Sequence, residues 1–129
     1  MEMQEAFDKV VAHLFEQKER SMAKFSPHEP PNCAYRGEHG LKCAIGTLIS
    51  DEEYSRDMES KSVTELLSRF PSLAFANINH GFLSQLQQVH DGSFDWDDPD
   101  QLKLDMTKVR TKLQAAAANW NLNLPEVLR

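Results

Sequence analysis

Apolar residues recur at helical spacing near the start of the chain. Phe7, Val10, Val11, Leu14 and Phe15 fall at i, i+3, i+4, i+7 and i+8, one face of a helix with a period of about 3.6 residues. The pattern predicts a helix from 3 to about 22, with His13, Gln17, Lys18 and Arg20 on its solvated side. Pro27, Pro30 and Pro31 cannot continue it and predict an extended loop over 25–32. Cys33 to Arg36 has strand character, Gly37-Glu38-His39-Gly40 is a turn, and Leu41 to Cys43 returns antiparallel, together a β-hairpin. Ala44 to Ile49 suits a short buried helix, or equally a strand. Gly46 within it predicts a close backbone contact.

Two capping boxes follow. Ser50 with Glu53 opens a turn that carries Tyr54, and Ser62 with Glu65 opens a helix with Val63, Leu66, Leu67 and Phe70 inward. Pro71 ends that helix, and 72–79 shows no clean period. From His80 to Val89 a further helix gathers Phe82, Leu83, Leu86, Val89 and His90 on one face, and Asp91-Gly92 ends it. Asp98 as N-cap and Pro99 in the first turn predict a last long helix from Pro99 to about Trp120. Its stripe is Leu102, Met106, Val109, Leu113, Ala116, Ala117 and Trp120, and Pro125 begins a short terminal turn. The fold class is mainly α with one small β-hairpin (α+β), with bundle-like helical packing around the hairpin. No repeat or linker interrupts it, so 1–129 is expected to be a single domain.

Composition narrows the function. The chain has 129 residues, 40% hydrophobic and 26% charged, ordinary for a globular protein. A net charge of −6 argues against direct nucleic-acid binding and against an anionic membrane surface, and it permits a basic protein partner or mimicry of nucleic-acid charge. Glu2 and Glu5 near the start, and no apolar run of signal-peptide or membrane-span length, predict a cytoplasmic protein. Cys33 and Cys43 are then expected to be free thiols.

The most distinctive stretch is Cys33-Ala34-Tyr35-Arg36-Gly37-Glu38-His39-Gly40-Leu41-Lys42-Cys43-Ala44-Ile45-Gly46, continued by Leu48, Ile49, Asp51 and Tyr54. It resembles the signature of a family of small uncharacterised bacteriophage and bacterial proteins, Cys-x-Tyr-Arg-Gly-x-x-Gly-x-Lys-Cys-Ala-Ile-Gly. The resemblance includes the preceding amphipathic helix and the later Leu86-x-x-x-His90-Asp91, about two thirds of the chain. It implies a phage-type accessory protein and specifies no chemistry and no cofactor.

Three site readings compete within this stretch. A metal reading uses His28, Cys33, His39 and Cys43, zinc-type ligands whose spacing matches no standard ribbon or finger. Against it stand two unliganded cysteines, one of them packed as a small hydrophobe. A nucleophile reading places Cys43 at a helix start with His90 as base. Asp91 is poorly placed to orient His90, because adjacent helical side chains diverge by about 100°. A binding reading uses Tyr35, Arg36, Lys42, Tyr54, His90 and Asp91, with Arg36 forking onto a carboxylate or phosphate. Its structural alternative ties Arg36 to Asp91 or a glutamate, joining the hairpin to the His90 helix. The aspartates at 91, 95, 97, 98 and 100 lack EF-hand order, so capping explains them better than calcium.

The function expected is binding: an accessory protein that inhibits or redirects a host or defence protein. The alternatives are a protein sequestering a nucleotide-like small molecule, with Arg36 and Lys42 on phosphate, and a small cysteine-dependent enzyme.

Overall fold

The computed structural model describes residues Met1–Arg129. Helix α1 is Met3–Gln17, and it buries Phe7, Val10, Val11 and Leu14 as the spacing requires. It stops five residues before the expected 22. Lys18 turns left-handed (φ 58°) and its amide donates to Leu14 O, which closes the helix. The chain then doubles back across the acidic loop: Arg20 N donates to Leu102 O (2.6 Å) and Leu104 N to Lys18 O (3.0 Å). Arg20, expected in solvent, is buried.

The hairpin exists but in a different place. Strand β1 (Met22–Ala23) pairs antiparallel with β2 (Asn32–Cys33), in the register Met22 to Cys33. The proline loop is therefore the hairpin's own loop. The expected pairing across Gly37–Gly40 shrinks to one bridge, Arg36 with Lys42, around a 3-10 turn at Glu38–Gly40. Gly40 has φ +75° there, the positive angle that the turn reading requires. Gly37 answers to a different need, because a Cβ would stand 2.8 Å from Met22 N and against Ser21 Oγ.

Gly46–Leu48 is a buried 3-10 turn, and a Cβ on Gly46 would run into the Tyr35 carbonyl, the close contact expected. The Ser50–Glu53 box forms reciprocally, with Glu53 N on Ser50 Oγ and Ser50 N on Glu53 Oε1, both 3.1 Å. Helix α2 is Val63–Arg69, capped by Ser62. Helix α3 is His80–Gly92, capped by Asn79. It ends at Gly92, where the sequence predicts its end.

The last helix, α4, is Met106–Asn119 and starts seven residues later than Pro99. Its N-cap is Asp105, whose carboxylate accepts from Thr107 N and Lys108 N. Asp98 does cap, but it caps a turn: it accepts from Leu102 N (3.0 Å) and Lys103 N (2.8 Å). Those bonds keep 98–103 out of the helix and let Phe94 pair with Leu104. A 3-10 turn at Glu126–Leu128 follows Pro125. One connected core runs from Ala6 to Leu128, with Phe7, Phe75 and Phe82 as its largest fully buried side chains. This is a small, mainly helical α+β fold. The two-stranded sheet lies outside the core, because none of Met22, Ala23, Asn32 and Cys33 belongs to it, so the helices pack on one another and on the 43–49 turn rather than around the hairpin. No helix is long and apolar enough to cross a membrane.

Candidate functional site

The motif is held from both sides. From α1, His13 Nε2 and Gln17 Nε2 both donate to Lys42 O (2.8 Å each), and Lys42 N donates back to Gln17 Oε1. The polar face of α1 therefore grips the motif's backbone, where solvation of His13 and Gln17 was expected. Burial holds the His13 pKa below its ordinary value, against the opposing pull of the Lys42 carbonyl. From the other side, Glu59 is buried and accepts from Tyr35 N (2.8 Å), Arg36 N (3.1 Å) and Tyr54 OH (2.7 Å).

Arg36 serves the fold. Its Nη1 donates to Gly46 O (2.6 Å), its Nη2 to Ile49 O (2.7 Å) and Asp51 Oδ1 (3.1 Å), and it lies over the Tyr54 ring. Its fork closes the motif on itself instead of pairing with Asp91. Two backbone carbonyls within thirteen residues are nearer than another helix. Lys42 Nζ also reaches Asp51, at 3.9 Å. Tyr35 is buried, with its hydroxyl on Lys61 O. Burial raises the Tyr54 pKa to about 12, and its bond to Glu59 adds to the rise.

The tie to α3 runs through His90 and Gln87 instead. His90 is fully buried. Ser21 N, an obligate donor, gives its proton to His90 Nε2 (2.8 Å), so the ring's own proton sits on Nδ1 and is donated to Asp91 Oδ1 (2.7 Å). Asp91 thus orients its own neighbour. The divergence of adjacent side chains is overcome because this is the last turn of α3, and the carboxylate folds back over the ring. Gln87, one turn earlier, donates to the same Oδ1 (3.3 Å) and accepts from Ile45 N (3.0 Å).

Cys33 joins this group: its Sγ, a His90 nitrogen and an Asp91 oxygen lie within 4.8 Å of one another. The zinc quartet does not form, since His28 and His39 are exposed and away from this cluster. The cluster that does form is a poor metal site. His90 has one lone pair, already taken by Ser21 N–H, and its other nitrogen carries the proton. Desolvation, helped by Asp91, pushes the Cys33 thiol up to about 12, so it offers no thiolate at neutral pH. Cys43 is fully buried, accepts from Gly46 N (3.3 Å), and burial raises it also to about 12. The expected lowering at a helix start is absent, because Cys43 enters a tight turn inside the core rather than a long helix.

Two surfaces adjoin this cluster. One is a cavity of about 280 Å³ lined by Asn32, Cys33, Tyr35, Lys61, Gln87 and Asp91, among others. The other is the acidic loop. Trp96 there is 69% exposed, its ring 4.5 Å from Phe94, and Arg20 lies over the far ring at 4.4 Å. Arg20 is fixed in turn by Gln101 O (2.9 Å) and Asp91 O (3.2 Å).

Sequence reasoning missed Arg20, Glu59, Gln87 and Trp96. Gln87 was detectable as the i, i+4 partner of Asp91. Trp96 was detectable as a large aromatic set among aspartates. Arg20 and Glu59 carry no local signal, because only the returning chain buries them. No protein-family model, curated protein or solved structure matches this chain.

Proposed function

We propose that this protein acts by binding a protein partner, as a phage-type accessory protein that inhibits or redirects a host or defence protein. The observation that carries the reading is Trp96. It is the one aromatic side chain left mostly in water. Its ring leans on Phe94, tilted by 56° at 4.5 Å, and an exposed tryptophan braced in this way is the kind of residue that dominates binding at an interface centre. Asp95, Asp97, Asp98 and Asp100 surround it in sequence, and the net charge is −6. The partner this surface suits has an apolar socket with a basic rim. The reading places the protein in a reducing, cytoplasmic setting, with which two free cysteines agree. The burial of Cys43, and the engagement of the Arg36 guanidinium by the Gly46 and Ile49 carbonyls, weigh against the cysteine-enzyme and phosphate-binding alternatives.

The test is capture from host extract by the tagged full chain and by Trp96→Ala, with melting curves of both. The expected result is one specifically retained protein with a basic contact surface, weakened by rising salt and lost in the equally stable variant. Equal capture by both proteins would reject Trp96 as the contact, and no specific capture would reject the reading.

A further inference from the structure

The cavity beside Asp91 carries a separate inference. Asp91 is partly buried, its side chain 32% exposed, at the end of α3. Both N–H donors that reach its carboxylate, His90 Nδ1 and Gln87 Nε2, converge on Oδ1. Neither donor brings a charge, given the neutral His90 tautomer that Ser21 enforces. No N–H or O–H of the chain bonds Oδ2. The nearest arginine, Arg20, bonds the Asp91 backbone carbonyl, not the carboxylate. Lys61 lines the same cavity, but its ammonium is directed to the Asp57 carbonyl. The Cys33 S–H, close by, is a third neutral donor to the same carboxylate. The result is a carboxylate held by neutral donors, without a cation from the chain, on the wall of a cavity. Drawing such a charge even partly out of water favours a cation that pairs with it.

We infer that this cavity is a binding site for a small organic cation, an amidinium or primary ammonium, that pairs with Asp91. Tyr35 and Val63 line the cavity as its larger apolar residues, and Asn32 lines it as a polar one. The volume, about 280 Å³, lies at the small end of ligand sites, which limits the occupant to a compact molecule. A charged N–H donor suits an oxygen whose partner atom is already saturated, because charge-assisted bonds are the stronger class. The Cys33 thiol, protonated at neutral pH, does not compete as an anion. This site is independent of the partner surface at Trp96, and either can fail without the other.

The probes are benzamidine, its neutral isostere benzamide and the anion benzoate, titrated into the full ¹⁵N-labelled chain. Benzamidine is expected to give saturable amide shifts centred on Cys33, Ser60 to Ser62, Gln87 and Asp91, with benzamide weaker and benzoate silent. Asp91→Asn keeps an oxygen for the His90 proton and is expected to weaken benzamidine by about tenfold or more. Lys61→Gln removes a like charge from the wall and is expected to tighten it by a few-fold, roughly what one screened charge contributes. A merely structural role for Asp91 would not produce these opposite changes. Shifts centred on the Trp96 loop, binding of benzoate as strong as benzamidine, or no saturable shift would overturn the inference. If Asp91→Asn fails to fold, Lys61→Gln decides: unchanged or weaker benzamidine binding overturns the site.

Discussion

At the residue scale, backbone geometry decides which side chains are replaceable. Gly46 faces the Tyr35 carbonyl, both within the core, so Gly46→Ala is expected to cost about 1–3 kcal/mol through overpacking, read from denaturant melts. Arg36 is held by two main-chain carbonyls, and a lysine reaches only one of them with one nitrogen. Arg36→Lys is expected to lower stability by about 1.5–3 kcal/mol, the range for a lost charged hydrogen bond. Asp51 is 87% exposed, so Asp51→Asn should change stability by about 0–1 kcal/mol. If the two variants lose the same amount, the ion pair rather than the carbonyls is what matters. His13 adds a pH dependence. Its folded pKa lies below the unfolded value of 6.5, so the unfolded chain binds the extra proton first. Its contribution is fully present above pH 6.5 and is lost as pH falls through the lower folded pKa. The stability difference between the protein and His13→Gln should therefore shrink with acidification across that window.

At the scale of elements, caps decide where helices begin and end. Asp105 holds two amides at the start of α4, and Asp105→Ala is expected to lose about 0.5–2 kcal/mol while Asp105→Asn keeps most of the stability. Lys18 is the opposite case. It is an exposed, left-handed residue at the end of α1, and glycine takes that conformation without the Cβ penalty. Lys18→Gly should raise the melting temperature, by up to about 1 kcal/mol of stability. A fall would mean that the lysine side chain contributes to the reversal at 18–20. The hairpin shows the same logic. Cys33 pairs with Met22 rather than with the 41–43 run, because Ser21 is pinned to His90 and the strand beside it is brought alongside.

For the whole molecule, burial separates the two cysteines. Both are free, with Cys33 half-buried and Cys43 fully buried, so a neutral thiol reagent at alkaline pH should label Cys33 first and Cys43 only with unfolding. Equal rates in the native protein would contradict the packing around Cys43. The apolar spacing of α1, α2 and α3, the Ser50 box, the Ser62 cap and the positive φ in the Gly37–Gly40 turn were all readable in the sequence. The return bond of the Ser62 box does not form, because the Glu65 carboxylate turns to Arg69. Each depends on residues within a turn or two of one another, where local sterics and periodicity act directly. The buried face with His90 was readable for the same reason. The partners were not. Whether Arg36 meets Asp91 or the Gly46 carbonyl, whether Asp98 or Asp105 starts α4, and whether Arg20 is in water all depend on where distant segments pass. A polar side chain bonds whichever group the packed backbone sets within reach, and that is fixed only when the helices close over the motif. The cluster of Cys33, Gln87, His90 and Asp91 belongs to this second kind: its members lie up to 58 positions apart in the sequence, and only the folded core brings Cys33 to the α3 residues, with Cys33, Gln87 and Asp91 on one cavity wall.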